Sequence, residues 1–419
     1  MTKSNKIVLG ILALILVVAI AFTVLTGNDG FMQKITGSID TASGETLDNL
    51  SPVSFNTDYP LVQTEQKDLF YEMNPDGTFR FYKFADGQFS EVTGVKTKDI
   101  QLSCSYQKLK IKLHYLSTDA GTVGYGVFNS RQNTDGKLFS YVFVRMMDCP
   151  KPYSSSARTK HVLLADMDAE DAYKTDKTYS DMYSFDLSSG KASLIVSQRD
   201  RLVQDDGTMR EDWTIFTDSM LNNSEKYDLF ASRRNYDTKD TEVKYDFLTV
   251  ANSRSAKKAS ATTLTNSPSY VIREKDGAYF CFANTEKGFD LVKNGDKKNP
   301  IASFDGSFSG YAVSGNYILN KSDFRITDIT TGDEASLKKA SFTELSGFVV
   351  NGDGTKVVVF CNGEQQSMIM YNTADNETKI ITDSIFNSGI CNFCFIDNST
   401  VLFSDYDEAG TAVNRTVTF

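Results

Sequence analysis

Three carboxylates spaced two residues apart are the first candidates for chemistry in this chain. Asp166, Asp168 and Glu170 have the one-three-five spacing that can gather around a calcium ion. The residues that follow lack the turn glycine and the bidentate glutamate of a calcium-binding loop. We therefore interpret residues 166–181 as an acidic loop between strands. We predict no cofactor, with calcium at these three carboxylates as the alternative.

Three aromatic side chains are candidates for ligand contact. Trp213 is the only tryptophan of the chain, and Tyr236 and Tyr406 lie near polar segments that read as loops. Aromatic side chains combine a large apolar face with a polar atom, so they are frequent hot spots of binding surfaces. For Trp213, packing in the core is the alternative to a stacking platform at the mouth of a channel.

The sequence offers little for nucleophilic or general-base catalysis. Its two histidines, His114 and His161, lie in strand-like patterns of different units, and we interpret them as structural. No G-x-S-x-G elbow is present, and Ser309 lies between glycines at the wrong spacing. Ser336 begins a segment that matches the S-x-x-K pattern, but the other motifs that accompany this pattern in serine enzymes are missing, so we interpret it as a chance match. We predict no catalytic residue.

The six cysteines read mainly as buried free thiols. Cys281 in YFCFAN and Cys361 in VVFCNG have apolar, strand-like neighbours, which favours packing as small hydrophobic residues. An even number of cysteines also permits disulfides in an oxidising compartment. Cys391 and Cys394 are three residues apart in a strand-like run, which places their side chains on opposite faces.

The elements that must position these residues are short strands. Apolar or alternating runs of five to eight residues are separated by Gly, Asp and Asn turns, the pattern of an all-β protein built from hairpins. A unit of strand, polar turn and strand recurs, beginning at Phe79, Met182, Phe289, Phe324 and Met368. Lys257, Lys297, Lys338 and Lys379 mark a spacing of 40 or 41 residues, which is typical of a propeller blade.

Two turns give a resemblance to a known family. Asn74-Pro75-Asp76-Gly77-Thr78 and Gly352-Asp353-Gly354-Thr355-Lys356 resemble the hairpin turn of TolB-type and related WD40-like propeller repeats. The resemblance implies a β-propeller. At about 45 to 50 residues a blade, residues 59–419 predict seven blades, and six or eight blades are the alternatives. We expect a strand from near Pro52 to Glu65 to complete the last blade and close the ring. A pair of two-sheet sandwiches is the alternative architecture.

The amino terminus predicts attachment to a membrane. Ile7 to Thr26 is an uncharged, apolar run long enough for one transmembrane helix. Lys3 and Lys6 predict that residues 1–6 stay in the cytoplasm and that the rest lies outside, as a single-pass protein of the cell membrane. Residues 27–58 are polar and read as a tether, followed by the domain at 59–419. A signal peptide cleaved near Ala19–Ala21 is the alternative, and the domain would then be secreted.

Charge and architecture together define the expected function. The chain has 44 Lys and Arg against 54 Asp and Glu, a net charge of −10, so nucleic acid is not an expected partner. We expect an extracytoplasmic propeller that binds or scaffolds a protein or cell-envelope ligand. The alternative is a hydrolase or lyase acting on glycans or peptides, with carboxylates from several blades in the central channel.

Overall fold

The computed structural model of this chain is composed of β-strands, with one 3-10 helix, Phe308–Gly310, in the part that it describes. The described residues are 45–46, 51–52, 57, 59–104, 107–129, 139–148, 161–170, 176–197, 211–215, 230–235, 244–249, 260–264, 268–273, 278–337, 344–362, 367–375, 377–381, 392–406 and 412–419. The predicted all-β class is confirmed. In chain order the strands are β1 (Glu45–Thr46), β2 (Ser51–Pro52), β3 (Val62–Gln63), β4 (Leu69–Met73), β5 (Phe79–Ala85), β6 (Gln88–Glu91), β7 (Lys96–Cys104), β8 (Gln107–Thr118), β9 (Gly121–Asn129), β10 (Phe139–Asp148), β11 (His161–Glu170), β12 (Asp176–Asp186), β13 (Lys191–Ser197), β14 (Glu211–Ile215), β15 (Phe230–Asn235), β16 (Lys244–Thr249), β17 (Ser260–Leu264), β18 (Pro268–Arg273), β19 (Tyr279–Asn284), β20 (Gly288–Lys293), β21 (Ala302–Asp305), β22 (Tyr311–Ser314), β23 (Tyr317–Asn320), β24 (Arg325–Asp328), β25 (Glu334–Ser336), β26 (Glu344–Val350), β27 (Lys356–Asn362), β28 (Ser367–Asn372), β29 (Thr378–Ile381), β30 (Asn392–Phe395), β31 (Thr400–Tyr406) and β32 (Ala412–Thr418).

Six of the seven sheets found among the described residues have the strand order of a propeller blade. Each runs as an antiparallel meander in which a strand pairs with the next one along the chain. The sheets are β3–β6, β14–β17, β18–β21, β22–β25, β26–β29 with β1 added, and β30–β32 with β2 added. Seven separate sheets are not the pair of two-sheet sandwiches that we considered as the alternative.

The recurrent hairpin has the same place in each sheet. The units that begin at Phe79, Phe289, Phe324 and Met368 form the last hairpins of four sheets, which are β5–β6, β20–β21, β24–β25 and β28–β29. In the β24–β25 turn, Asp328 Oδ1 accepts hydrogen bonds from the backbone N–H of Thr330 at 2.7 Å and from its hydroxyl at 2.6 Å. An Asp that bonds the backbone two residues onward closes a turn by itself. The repeat read from the sequence is confirmed.

Residues from the amino-terminal side complete the last sheet. In β2, Ser51 pairs with Thr416 and Pro52 with Arg415, at the outer edge of β32. The predicted completion of the last sheet by an amino-terminal strand is confirmed, but the predicted range of Pro52 to Glu65 was wrong, because Val62–Gln63 pairs with β4 in another sheet. In addition, β1 pairs in parallel with β29 of the preceding sheet. Both two-residue strands lie within the range 27–58 that we predict as a tether, and strands this short leave no hydrophobic period in a sequence.

A buried asparagine fixes the chain beyond β2. The side-chain oxygen of Asn414, on β32, accepts hydrogen bonds from the backbone N–H of Leu61 at 3.0 Å and from the Ser404 hydroxyl at 2.6 Å. Its amide donates to the Thr57 hydroxyl. Asn414 is 3% exposed, so these bonds are shielded from water. The first and last sheets are thus joined by polar contacts as well as by packing.

The sheets from β18 to β32 share hydrophobic cores in chain order. Leu291 and Ile318 share one core, Phe324 and Val357 the next, Val358 and Phe403 the third, and Leu402 and Phe70 the fourth. The first strands also adjoin, because β22 contacts β26 and β26 contacts β30. The fourth core joins the last sheet to β3–β6. Sheets stacked in sequence, with the first packed on the last, form a β-propeller.

The seventh sheet departs from the predicted blades. Strands β7–β13 form a closed barrel in the order β10-β11-β12-β13-β7-β8-β9, completed by a parallel pair between Lys191 and Gln101. Side chains such as Leu113, Val144 and Leu163 fill its interior. The unit at Met182 does form the hairpin β12–β13, but assigning it to an ordinary blade was wrong. Alternating apolar residues look alike in a blade and in a barrel, whereas barrel strands such as β8, with 12 residues, are longer.

The predicted cytoplasmic tail 1–6 and anchor 7–26 lie outside the described residues. Within the described part of the chain, no helix is both long and apolar enough to cross a membrane. Attachment to a membrane stays a prediction.

Candidate functional site

A cavity of about 400 Å³ opens where the first strands of four blades end, namely β3, β22, β26 and β30. We call it the channel mouth. Its wall combines the turns after β22, β26 and β30 with the segment that follows β3. The lining residues are Gln63, Thr64, Glu65, Lys67, Ser314, Gly315, Asn316, Tyr317, Val349, Val350, Asn351, Gly352, Cys394, Phe395, Ile396, Asp397 and Asn398. A cavity of this size is within the range that holds small ligands or single side chains of a partner.

The turn after β26 is held by an Asp-Gly-Thr arrangement. Asp353 Oδ1 accepts hydrogen bonds from the backbone N–H of Thr355 at 3.0 Å and from its hydroxyl at 2.5 Å. These bonds hold the pKa of Asp353 below its ordinary value. Gly354 has φ +75°, a left-handed conformation that favours glycine. The turn from Asn74 to Thr78, between β4 and β5, has the same bonds between Asp76 and Thr78.

Asn351 joins two of the turns around the channel mouth. Its side-chain amide donates to the Thr355 hydroxyl at 3.1 Å and to the backbone carbonyl of Asn398 at 2.9 Å. Asn398 in turn donates to the Asp353 carboxylate at 3.3 Å. Asn351 is 2% exposed, so the β26–β27 and β30–β31 turns are linked through a buried side chain. The polar wall of the cavity is therefore built in place before any ligand arrives.

Asp397 carries a negative charge into this wall. Burial favours its neutral form, but hydrogen bonds from the backbone N–H of Ser399 and from Thr400 outweigh burial and hold its pKa below the ordinary value. The backbone N–H groups of Ser399 and Thr400 lie 2.7 and 2.6 Å from Asp397 Oδ1. The carboxylate is therefore ionised at neutral pH, and Lys67 supplies positive charge to the same cavity.

Glu65 connects the channel mouth to the barrel. The carboxylate accepts a hydrogen bond of 2.9 Å from the Tyr125 hydroxyl on β9. Burial raises the pKa of Glu65 above its ordinary value, although its hydrogen bonds and the positive charge of Arg145 act the other way. The Tyr125 ring stacks on that of Tyr71, with centroids 4.1 Å apart. An ionisable group at a cavity whose pKa is shifted by its surroundings marks a functional-site candidate.

Asp166, one of the three predicted calcium ligands, lies in a second part of this network. Its Oδ2 accepts from the Arg145 guanidinium at 2.7 Å and its Oδ1 from the Ser180 hydroxyl at 2.6 Å. The side chains of Asp168 and Glu170 lie outside the described part of the chain, so calcium stays a prediction. Among the side chains that are described, no three His, Cys, Asp or Glu residues are grouped as a metal site requires.

The segment that contains these carboxylates is not a loop. Residues 161–170 form β11 and residues 176–186 form β12, which pair in a regular antiparallel register. The interpretation of residues 166–181 as an inter-strand loop was wrong. Leu163, Ala165 and Met167 face the barrel core in alternation with the acidic positions. Asp166, whose side chain is partly exposed, lies between Ala165 and Met167 and points away from that core, so its charge does not prevent strand formation.

The three predicted aromatic contacts are not brought together by the described part of the structure. Trp213 lies in β14, where its backbone pairs with Arg233, and Tyr406 is the last residue of β31. Their side chains lie outside the described part of the chain, as does the whole of Tyr236. A role in ligand binding stays a prediction for all three.

The two histidines belong to one sheet, so their assignment to different units was wrong. His114 is on β8 and His161 on β11, both within the barrel. His161 Nε2 lies 3.2 Å from Asp148. Burial and then the charge of Lys112 lower the pKa of His114. Neither histidine lines the channel mouth.

The side chains of three of the six cysteines are described, and these three are free thiols. Cys281 and Cys361 are buried, as predicted, and Cys394 is half-buried at the channel mouth. Burial raises the pKa of each of these thiols to about 12, so they are protonated at neutral pH. The expectation of free thiols is confirmed for these three.

Comparison with known proteins gives similarity of structure but not of sequence. No family model matches the chain, and no curated protein is similar to it. Sqt1 of Saccharomyces cerevisiae has 9% identity and a TM-score of 0.38, covering 90% of this chain and 100% of that one. The C-terminal WD40 domain of Sif2 has 7% identity and a TM-score of 0.42, covering 90% and 99%.

An oligogalacturonate lyase in complex with manganese has 11% identity and a TM-score of 0.38, covering 77% of this chain and 98% of that one. Because all three TM-scores are below 0.5, the assignment of the fold rests on the sheets and their packing described above.

Proposed function

We propose that this chain is a β-propeller binding module that holds a protein or cell-envelope ligand at the channel mouth. The observation that carries the proposal is the cavity itself, walled by the turns that follow the first strands of four blades. Its wall is rigid, because buried Asn351 links two of the turns, and it offers amide, hydroxyl and charged groups. Rigid scaffolds that present such groups on loops are typical binding surfaces.

We propose further that the module is anchored in a membrane and faces the extracytoplasmic side. The uncharged run 7–26 and the lysines before it support this proposal. If the anchor is retained, residues 27–44 are the longest stretch between it and β1. Fully extended, these 18 residues span about 60 Å at most, so the propeller would stay close to the membrane surface.

Site-directed photo-crosslinking in intact cells tests the binding site. A benzoylphenylalanine is introduced at Asn316, an exposed residue of the channel mouth, and in a matched variant at Ser90, an exposed residue of the outer strand β6. We expect a ligand adduct from position 316 and none from position 90. Equal adducts from both positions, or an adduct from position 90 alone, would contradict the proposed site.

A hydrolase or lyase acting on glycans or peptides is the second candidate, and one observation favours it. Glu65 lines the cavity with its pKa raised by burial, which is a property of general acids. The test is turnover of defined glycans or peptides by the purified protein. If the protein turns over such a substrate, and Glu65→Gln abolishes this activity while the fold is kept, the enzyme is the correct function and the binding module is not.

A further inference from the structure

Glu65 lies where the channel mouth, the first blade and the barrel meet. The residues beside it on the same segment bond to different parts of the protein. Gln63 donates to the backbone carbonyl of Phe395 in the last blade at 3.5 Å. Gln66 donates to the carbonyl of Gly121 on the barrel at 3.2 Å and accepts from Thr118 at 2.8 Å. The segment is thus fixed on both sides of Glu65, which leaves its carboxylate little freedom to move.

The group that holds the carboxylate comes from the barrel. Tyr125 is 1% exposed, and its hydroxyl donates to Glu65 Oε2. Burial and then the charge of Glu65 raise the pKa of Tyr125 well above its ordinary value, so this hydroxyl remains a donor throughout the physiological range. The Tyr125 ring is held by aromatic neighbours on both sheets, among them Tyr71 of β4 at 4.1 Å and Phe143 of β10 at 6.0 Å between ring centroids.

We propose that Glu65 selects by charge which ligand groups enter the channel mouth, and that Tyr125 of the barrel is the residue that positions its carboxylate. The inference rests on the proposed function, since it assigns a selective group to the same cavity. The ligand group that fits is a cation, such as an ammonium or guanidinium, when Glu65 is ionised. The barrel is then part of the binding site and not a separate unit.

Several other ionisable groups act on Glu65 and on the cavity. They are Tyr125 from β9, Arg145 from β10, Tyr71 from β4 and, around the cavity, Lys67, Asp397, Tyr317 and Cys394. Arg145 is partly neutralised by its ion pair of 2.7 Å with Asp166. Asp397 stays ionised because its pKa is lowered, and Cys394 stays protonated because its pKa is about 12. Of the two carboxyl groups in the lining, Glu65 is thus the one whose pKa is raised, so its ionisation changes the charge of the cavity at a higher pH than that of Asp397 does.

The proposal can be tested without knowing the ligand. A thiol is introduced by Asn316→Cys in the full-length protein, and its rates of modification by two small reagents are compared. The probes are trimethylammonioethyl methanethiosulfonate, a cation, and sulfonatoethyl methanethiosulfonate, an anion. In each case the thiolate attacks the sulfenyl sulfur, a mixed disulfide forms and methanesulfinate leaves. The ratio of the two rates cancels the thiolate fraction and reports the local charge.

We expect the cation-to-anion ratio at position 316 to rise with pH as Glu65 ionises. Glu65→Gln should lower the ratio roughly fivefold at pH 8 and remove that rise. Tyr125→Phe keeps the ring but removes a hydrogen bond to the ionised form, so the rise should move to higher pH by roughly one unit. Modification is read by mass spectrometry of the peptide that contains position 316.

A matched control separates positioning from stability. The Tyr183 hydroxyl donates to the Asp181 carboxylate at 3.0 Å inside the barrel, so Tyr183→Phe removes a similar bond away from the channel mouth. It should leave the pH profile unchanged. An unchanged ratio in Glu65→Gln would overturn the charge selection, and equal shifts in both tyrosine variants would overturn the role of Tyr125. A charge-dependent ratio without a crosslinked ligand at position 316 would contradict the proposed function alone.

Discussion

The backbone N–H of Leu61 donates a 3.0 Å hydrogen bond to the side chain of Asn414, which is 353 residues away along the chain. Both residues are buried, Leu61 at 0% exposure. The bond lies between β3–β6 and the last sheet, where Leu61 and Leu402 also share a hydrophobic core. Ring closure therefore combines apolar packing with a buried polar bond that only one register of the two sheets can satisfy.

We expect Asn414→Ala to destabilise the propeller by about 2–3 kcal/mol, because the buried N–H of Leu61 and the hydroxyls of Thr57 and Ser404 lose their partner. Urea unfolding followed by circular dichroism measures the change. The matched control is Asn316→Ala, which removes an asparagine from an exposed turn and should change the free energy of unfolding by less than about 0.5 kcal/mol. Equal effects of the two substitutions would show that Asn414 does not secure the closure.

A second prediction concerns Gly354. A Cβ added at this position would lie 2.5 Å from the hydroxyl oxygen of Tyr317, in addition to the strain of an alanine at φ +75°. Gly306 has a similar φ of +80° with no atom within 4 Å of such a Cβ. We expect Gly306→Ala to cost about 1 kcal/mol and Gly354→Ala about 2–3 kcal/mol in the free energy of unfolding.

A double-mutant cycle identifies the cause of that difference. Adding Tyr317→Ala to Gly354→Ala should recover most of the extra loss of unfolding free energy, because the Tyr317 hydroxyl is the group that the alanine Cβ would contact too closely. If the two glycine variants are equally stable, the channel mouth is more adaptable at Tyr317 than the packing indicates.

The part of the fold that local chemistry determines could be predicted from the sequence. Turns such as that of Asp328 and Thr330 bond within a few residues, so a polar turn between two apolar runs is enough to identify the hairpin. The barrel could not be predicted in this way. Closure through Lys191 and Gln101 joins residues 90 positions apart, since 191 − 101 = 90, and no local pattern marks such a pair.

The candidate site was harder to predict than the fold. Asp353 and Gly354 were noticed as a turn motif, but Glu65 was not, because its significance depends on Tyr125 in a different sheet. The sequence itself shows only an acidic residue two positions after a two-residue strand, which does not distinguish Glu65 from other acidic residues near strand ends. Asp166, one of the three predicted calcium ligands, reaches the network beside Glu65 through its ion pair with Arg145.

The membrane topology gives a third prediction. Protease added to spheroplasts should digest the propeller and leave a membrane-embedded fragment that contains residues 7–26, since the lysines at 3 and 6 hold the amino terminus inside. Immunodetection of an amino-terminal tag after membrane fractionation measures the fragment. A protected propeller would contradict the orientation, and a mature protein that begins after Ala21 would favour a cleaved signal peptide.

The last prediction concerns acid stability and Asp186, in the turn between β12 and β13. Its carboxylate accepts hydrogen bonds from the Ser188 hydroxyl at 2.6 Å and from the Ser189 hydroxyl at 2.8 Å. These bonds lower the pKa of Asp186 to about 2. A carboxyl whose folded pKa lies below its unfolded value stabilises the protein above the unfolded pKa, near 4, and loses this contribution as the pH falls through the folded pKa.

We therefore expect Asp186→Asn to have a lower Tm than the original protein at pH 6. This difference in Tm, the gap, should shrink steadily as the pH falls from 4 to 2. The Asn side chain keeps one acceptor for the turn but does not titrate, so the comparison isolates the charge. Differential scanning calorimetry at half-unit steps of pH measures the gap. A gap for Asp186→Asn that stays constant down to pH 2 would show that the serine hydroxyls do not hold this carboxylate in its ionised form.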